Sequence, residues 1–436
     1  IIIAAIFEAS GALVAGGDVV GTIKSGIIDP DLVADRDTFI WLMMAALLAA
    51  AVWLNFATAI GAPVSTTHSI VGGVLGAGVA AAGWDIADWS VVGQIAASWV
   101  ISPMMGGFIA AGFLYVIKRT VTYKRDVLAA ANNVVPLLVA IMAWAFATYL
   151  MLKGVKKVLT VSFPVALMIG VVIAAVVYVI MRPYIARMTT QMDNHKASVN
   201  ELFTVPLIFA AALLSFAHGA NDVANAVGPL AGINEAISEG GISTKAGIPL
   251  WVMAVGAIGI ALGLALYGPK LIKTVGTEIT ELDKMRAFCI AMAAAITVII
   301  ASQLGLPVSS THIAVGGVFG VGFLREYIKS SYARMLDDIR EHHAENDPKA
   351  VEALLAEFEA ADVAMKGEML RNMKAQVPSD RLLAKQERRG LGRVHRVELV
   401  KRNLLFRIAA AWIITVPVAA ILAAMFFFMI RGMLVP

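Results

Sequence analysis

Long apolar stretches alternate with short polar ones along most of the chain. Eleven apolar stretches occur, at residues 1–23, 38–60, 66–82, 89–117, 134–152, 161–181, 202–227, 247–272, 286–304, 311–328 and 404–431. A helix needs about 20 residues to cross a bilayer, and lipid leaves the backbone no partner outside helices and closed barrels. The pattern therefore predicts an all-α membrane protein, a polytopic helical bundle.

One long segment breaks this pattern near the C-terminal end, where residues 325–403 are rich in Arg, Lys, Glu and Asp. Within it Leu354, Leu355 and Phe358 recur at helical spacing. We expect residues 329–403 to form a soluble, cytoplasmic helical insertion, followed by a C-terminal transmembrane helix at 404–436.

Composition agrees with a membrane protein. The chain is 59% hydrophobic and 15% charged, with a mean hydropathy of +0.79, whereas soluble domains carry about 25% charged residues. The net charge of +4 is small and gives no reason to expect a nucleic-acid partner. The single cysteine, Cys289, excludes an intrachain disulfide.

An internal repeat is the strongest signal. "APVSTTHSIVGGVLGAG" covers residues 62–78 and "LPVSSTHIAVGGVFGVG" covers residues 306–322, 244 positions later. An acidic, aromatic edge follows the first copy and a basic segment follows the second, and basic loops stay in the cytoplasm. The copies therefore exit on opposite sides, as in the inverted repeats of secondary transporters. We expect a first inverted repeat at 1–117, connecting transmembrane helices and loops at 118–200, and a second inverted repeat at 201–328.

Each copy begins with hydroxyl residues that suit a helix cap. The first N–H groups of a helix lack intrahelical acceptors, and the helix dipole adds positive charge there. Two half-helices in hairpins that enter from opposite faces would form a cradle for a phosphate-like anion. The hydroxyl residues are Ser65, Thr66, Thr67, Ser309, Ser310 and Thr311. For His68 and His312 two roles stay open: contact with the anion or proton transfer, and a local hydrogen bond that fixes the turn.

Polar residues also interrupt the apolar stretch "SFAHGANDVANAVGP" at 215–229. Asn221, Asp222 and Asn225 fit a broken helix whose oxygens surround a cation. A simple helix cap, or an aspartate paired with a loop arginine, is the alternative. Glu8 is a second acid within an apolar span, where charge is costly. It has either a proton or coupling role or a structural partner across a helix interface.

The strings "GANDVANAVG", "PVSTTH" and "PVSSTH" resemble the inorganic phosphate transporter (PiT) family of cation–phosphate symporters. The resemblance implies an all-helical inverted-repeat transporter, often a homodimer. It also implies phosphate binding by Ser65–Thr67 and Ser309–Thr311. Asn221, Asp222 and Asn225 would bind the cation and help to bind phosphate, with Na⁺ at Asp222 and Asn225.

The chain departs from the family pattern in one respect, because it contains one GANDVAN string where the family has two. Pro307 follows Gly219 by 88 residues, and the same spacing counted back from Pro63 falls before residue 1. We expect the given sequence to lack its natural N-terminus.

Together these patterns predict a secondary active transporter that imports inorganic phosphate by symport with Na⁺, in the plasma (inner) membrane and without a cofactor. H⁺ coupling, through Glu8, His68 or His312, and sulfate transport on the same scaffold are the alternatives. An enzyme would need a nucleophile–base pair or a carboxylate cluster, and the sequence shows neither. A channel would repeat a pore element around a symmetric axis, whereas this chain is expected to invert its repeated element.

Overall fold

The computed structural model describes residues 1–62, 64–154, 161–239, 248–278, 283–342 and 402–434, with isolated residues between 353 and 365. These residues are helical apart from short turns and one isolated backbone bridge between Ile28 and Ala87. The α-helices are α1 (Ile2–Ala15), α2 (Gly17–Gly21), α3 (Arg36–Ala59), α4 (Thr66–Ala82), α5 (Trp89–Ile117), α6 (Val127–Tyr149), α7 (Phe163–Thr189), α8 (Lys196–Leu202), α9 (Thr204–Asp222), α10 (Ala224–Glu239), α11 (Leu250–Glu278), α12 (Lys284–Gln303), α13 (Ser310–His342) and α14 (Arg402–Leu434).

The described helices suit a bilayer. Eight of them are long and apolar enough to span it, and a bent pair, Ile2–Ala15 and Val19–Gly26, makes nine if it counts as one span. On α7 the large apolar side chains of Val172 and Val179 are 63% and 69% exposed. Apolar surface of this kind needs a lipid surround or a partner. The predicted polytopic all-α membrane fold is confirmed.

Polar residues mark where several of these helices begin. In each case a side-chain oxygen accepts a hydrogen bond from a backbone N–H in the first turn, which satisfies a group that has no intrahelical acceptor. The capping residues are Asp35 on α3, Ser65 on α4, Asp88 on α5, Asp126 on α6 and Asp283 on α12. The apolar spans thus begin at polar residues that the sequence places between them.

The two copies of the repeat pack in the same way. α4 packs against α14, and α13 packs against α5. In both contacts a glycine lets two backbones touch, because a methyl group there would lie 2.1–2.6 Å from a backbone oxygen. The pairs are Gly72–Val416, Gly76–Ala420, Gly316–Pro103 and Gly320–Gly107. Equivalent glycines are 244 residues apart, as in the sequence repeat, so the repeat is structural as well as sequential.

The interruption predicted within residues 215–229 is small. α9 ends at Asp222 and α10 begins at Ala224, so only Val223 separates them. The two helices together form one apolar stretch, Thr204–Ser238. The polar residues therefore alter one turn of a continuous span and do not divide it into two separate half-helices.

The predicted insertion does not begin at a helix end. α13 runs from Ser310 to His342 and passes the expected boundary at 328/329 without a break. Apart from isolated positions, residues 343–401 lie outside the described part of the chain, and so does the hairpin expected within 329–403.

Candidate functional site

The two hydroxyl-rich elements fold alike. After α3 and after α12 the chain turns at a glycine with positive φ, +74° at Gly61 and +67° at Gly305, a region that favours residues without a Cβ atom. The Oγ of Ser65 then accepts the N–H of His68 at 3.2 Å, and the Oγ of Ser309 accepts the N–H of His312 at 3.3 Å. We call residues 65–68 the first start and residues 309–312 the second start.

The first and second starts meet inside the bundle. The hydroxyl of Thr67 donates a hydrogen bond to the backbone oxygen of Val308 at 3.0 Å, and the ring centroids of His68 and His312 lie 4.4 Å apart. Thr67 is fully buried. Two elements separated by 244 residues in sequence therefore form one polar centre between transmembrane helices.

Asp222 and Asn225 connect α9 and α10 to the first start. The hydroxyl of Thr66 donates to Oδ2 of Asp222 at 3.0 Å. The Nδ2 amide of Asn225 donates to the Oγ1 atoms of Thr66 and Thr67, at 3.1 and 3.2 Å. Among the described residues the partners of Asp222 are thus Thr66 and, as described below, His218.

Asn221 reaches the other side of the centre. Its Nδ2 donates to Oγ of Ser302 at 3.0 Å and to the backbone oxygen of Leu306 at 3.2 Å. Both acceptors lie in the segment that leads into the second start. The three polar residues of residues 219–225, which we call the GANDVAN string, therefore contact the first start and the segment that leads into the second start.

Three oxygen atoms of the GANDVAN string have no hydrogen-bond partner among the residues that the structure describes. They are the Oδ1 atoms of Asn221, Asp222 and Asn225, and all three are buried from solvent. Buried polar atoms without a partner call for an explanation. Amide and carboxylate oxygens are the ligands that hard cations prefer. Two of these three oxygens are amide and one is carboxylate, so they are candidate ligands for a monovalent cation.

A residue that sequence analysis did not select joins the same network. His218 lies between two acids, with Nδ1 3.0 Å from Oε1 of Glu8 and Nε2 3.1 Å from Oδ2 of Asp222. The spacing of four residues between His218 and Asp222 places both on one helix face, and this was the available signal. The partner across the helix interface that was the structural alternative for Glu8 is therefore present, and it links Glu8 to Asp222.

The remaining predicted residues differ in their contacts. By strict hydrogen-bond geometry, none of the four ring nitrogens of His68 and His312 has a partner in the described part of the chain, although the ring of His68 lies beside the backbone of Trp412. Neither ring is hydrogen-bonded to the described residues of its own turn. The hydroxyls of Ser310 and Thr311 form no hydrogen bond with the described part of the chain, in contrast to those of Thr66 and Thr67.

The arrangement suits binding of an anion beside a cation. The hydroxyl-rich N-terminal ends of α4 and α13 meet at one centre, and the N-terminal end of a helix favours negative charge. Asp222 and Asn225 of the GANDVAN string bond to Thr66 and Thr67 there. Among the described residues, no group of three or more His, Cys, Asp or Glu side chains is placed to hold a metal ion, and the oxygen set here is mainly amide.

Comparison with known proteins gives a consistent result. The sequence profile of the phosphate transporter family matches residues 1–423. A relative from Helicobacter pylori strain J99 carries the name phosphate permease, assigned to it by inference. It is 52% identical over 436 residues, which cover 98% of this chain and 82% of that protein. A protein of Pyrococcus abyssi with the same kind of name is 37% identical over 326 residues, 74% of this chain and 80% of its own.

A solved structure has the same fold. The structure, described as the sodium-dependent phosphate transporter, aligns with a TM-score of 0.78 at 28% sequence identity. The alignment covers 99% of this chain and 90% of the other.

Proposed function

Because this chain belongs to the phosphate transporter family, and therefore is a multi-pass membrane transporter for phosphate, we propose that it imports inorganic phosphate by symport with Na⁺. The first and second starts bind the anion, and the oxygens of the GANDVAN string bind the cation. The proposal includes a location in the plasma (inner) membrane and assembly as a homodimer.

The observation that carries the proposal is that one polar string bonds both to the first start and to the segment that leads into the second start. Thr66 and Thr67 accept hydrogen bonds from Asn225, while Asn221 holds the segment before Ser309. Phosphate bound at Ser65–Thr67 and Ser309–Thr311 would lie between two positive helix ends. The cation at Asn221, Asp222 and Asn225 would then offset part of the added negative charge.

Na⁺ is favoured over H⁺ by the three oxygens without a partner. They are ligands suited to a hard metal ion, and the structurally similar protein is described as sodium-dependent. H⁺ is the second candidate, because the chain of Glu8, His218 and Asp222 joins three titratable groups at hydrogen-bonding distance. A chain of this kind is typical of proton relays in membranes.

Asp222 is the residue that favours phosphate over sulfate as the transported anion. Near neutral pH phosphate keeps at least one proton and sulfate keeps none, so a carboxylate accepts a hydrogen bond from phosphate and repels sulfate. Repulsion of the wrong ligand is a source of specificity. The Oδ1 atom of Asp222 is available for this bond, because only Oδ2 is engaged by Thr66 and His218.

The test is uptake of radiolabelled phosphate into proteoliposomes under separate Na⁺ and pH gradients. We expect an inward Na⁺ gradient to drive accumulation at equal pH on both sides, and excess sulfate to compete weakly. Accumulation driven only by a pH gradient would show that the coupled cation is H⁺ and not Na⁺. Uptake of sulfate at the expense of phosphate would contradict the substrate, and downhill flux without accumulation under either gradient would contradict symport.

A further inference from the structure

Four aromatic rings lie in a row between the first and second starts. The ring of His68 lies 3.7 Å from that of Trp99 on α5, tilted by 39°, and the ring of His312 stacks on that of Trp412 on α14 at 3.6 Å and 23° (distances between ring centroids). The two imidazoles meet edge to face, with an interplanar angle of 89° and ring centroids 4.4 Å apart. Because His68 and His312 are equivalent positions of the repeat, the row is nearly symmetric about the contact between the two histidines.

Neither imidazole is accounted for by packing alone. His68 is 4% exposed and His312 is 0% exposed, and among the described residues no ring nitrogen of either has a partner at strict hydrogen-bond geometry, although the backbone of Trp412 lies beside the ring of His68. A neutral imidazole carries one N–H donor and one acceptor, and burying such a group without a partner costs about 1–3 kcal/mol. A phenyl ring would pack in the same row without this cost. The two histidines therefore need a ligand that uses their nitrogens.

The elements packed around the two rings carry few charged or titratable groups, so each histidine has the other as its nearest partner for a proton. α5 contains no Asp, Glu, Lys or Arg, α3 has none after Asp37, α12 has none after Arg286 and α14 has none between Arg407 and Arg431. α12 carries the thiol of Cys289, and α13 has no charged residue before Arg325. From α9 and α10 the titratable groups are His218, Asp222, Glu235 and Glu239. Asp222 is bonded to Thr66 and His218, and Glu235 is paired with Lys24 at 2.6 Å.

We propose that His68 and His312 together bind a single proton at the contact between the first and second starts. The proton adds to the lone pair of one imidazole, and the resulting N–H group donates a charge-assisted hydrogen bond to the lone pair of the other. Whichever imidazole is charged has one indole within cation–π distance, Trp99 for His68 and Trp412 for His312. A second proton would place two positive rings in contact, so the pair takes up one.

Proton binding has a structural consequence for the neighbouring site. The rings now meet edge to face, whereas a hydrogen bond between two ring nitrogens requires them to turn toward one another. His68 follows Thr67 and His312 follows Thr311 directly in sequence. Loading the proton therefore changes the contact between the two starts, in addition to any effect of pH on phosphate itself. This inference does not depend on the identity of the coupled cation.

The experiment uses the indoles of Trp99 and Trp412 as reporters, because a protonated histidine quenches the fluorescence of an indole in contact with it. Tryptophan fluorescence of the full chain in detergent, without phosphate, is titrated with acid for the parent and for His68→Phe, His312→Phe and the double variant. A second pair, His68→Gln and His312→Gln, keeps hydrogen-bonding groups but takes up no proton. His195→Asn, an exposed helix-capping position, is the matched control. Gel filtration identifies any variant that is not folded.

We expect one quenching step in the parent and in His195→Asn, and loss of that step in every variant of His68 or His312, single or double. Loss in the single variants is the mark of a shared proton. A step that keeps about half its amplitude in each single variant would mean two independent sites and would overturn the proposal. The same step in the double variant, or no step in the parent, would also overturn it. Because no phosphate is present, failure here is separate from failure of the transport proposal.

Discussion

The first and second starts share a sequence pattern and a backbone but differ in their polar neighbours. Both follow a glycine with positive φ, and both have a serine that caps the helix. In the first start, Thr66 and Thr67 are bonded to Asp222, Asn225 and the backbone of Val308. In the second start, the hydroxyls of Ser310 and Thr311 make no hydrogen bond with the described protein.

The difference separates what is local from what is not. A turn and a cap depend on a few neighbouring residues, so an internal repeat reproduces them. Three of the bonds to Thr66 and Thr67 come from the GANDVAN string, 156 to 159 residues away, and one of the three is to the carboxylate of Asp222. We therefore expect the first start to combine anion binding with cation coupling, and the second start to contribute mainly hydrogen bonds to the anion.

The largest expected effect tests the coupling side of this comparison. Asp222→Asn keeps the size of the side chain and removes its charge, so it should abolish Na⁺-driven phosphate uptake in proteoliposomes. It should also narrow the preference for phosphate over sulfate, because the repulsion of sulfate is lost. The preference is measured by competition of sulfate against labelled phosphate at fixed pH and Na⁺.

Asp126→Asn is the matched control, because Asp126 caps α6 and has no contact with the site. It should leave uptake unchanged. If Asp222→Asn binds phosphate normally and excludes sulfate as well as the parent does, Asp222 is not next to the anion, and the proposed difference between the starts is wrong.

The next effect compares one hydroxyl from each start. Thr67→Val and Thr311→Val should each weaken phosphate binding by about ten- to a hundredfold, since a hydrogen bond to a charged group contributes about 1.5–3 kcal/mol. For Thr67 this requires its one hydroxyl proton, which Val308 accepts in the structure, to turn to the anion when phosphate binds. Only Thr67→Val should also lower thermal stability, because Thr67 holds Val308 and accepts from Asn225. Thr297→Val, which removes a buried hydroxyl bonded within α12, should not change the affinity. A loss of stability without loss of affinity in Thr67→Val would show that Thr67 is only structural.

Sequence analysis predicted the helical spans, the two starts and the GANDVAN string, because each depends on local composition or on a repeated motif. It did not predict His218, because the four-residue spacing that places His218 beside Asp222 on one helix face was not used. Ser302 was missed for a different reason: its bond to Asn221 joins residues 81 positions apart. The small interruption at Val223 was overestimated, because polar residues that face a centre between helices need not end the helix that carries them.

A smaller effect concerns the packing that both copies share. Gly76→Ala would place a methyl group 2.2 Å from the backbone oxygen of Ala420, and Gly320→Ala would place one 2.1 Å from that of Gly107. Each should destabilise the protein by about 1–3 kcal/mol, the usual range for overpacking. Gly112→Ala on α5 meets no atom within 4 Å and should be neutral or stabilising. Thermal unfolding in detergent measures all three, and a loss confined to one copy would show that the two copies do not pack equivalently.

The smallest effect compares the helices that lead into the two starts, α3 and α12, which are capped by Asp35 and Asp283. The backbone N–H of Thr38 bonded to its carboxylate lowers the pKa of Asp35 below its usual value. A carboxyl whose pKa is lower in the folded state stabilises that state above its unfolded pKa, about 3.9. The stabilisation is lost as pH falls through the pKa of the folded state.

Asp35→Ala should therefore lower the free energy of unfolding by about 0.5–2 kcal/mol at pH 7, as for other caps, and by less than that at pH 3. Asp283→Ala should have a similar effect at pH 7 because it removes the same type of bond. The midpoint of thermal unfolding at both pH values measures this, and a loss for Asp35→Ala that is as large at pH 3 as at pH 7 would show that the charge of the cap is not what stabilises α3.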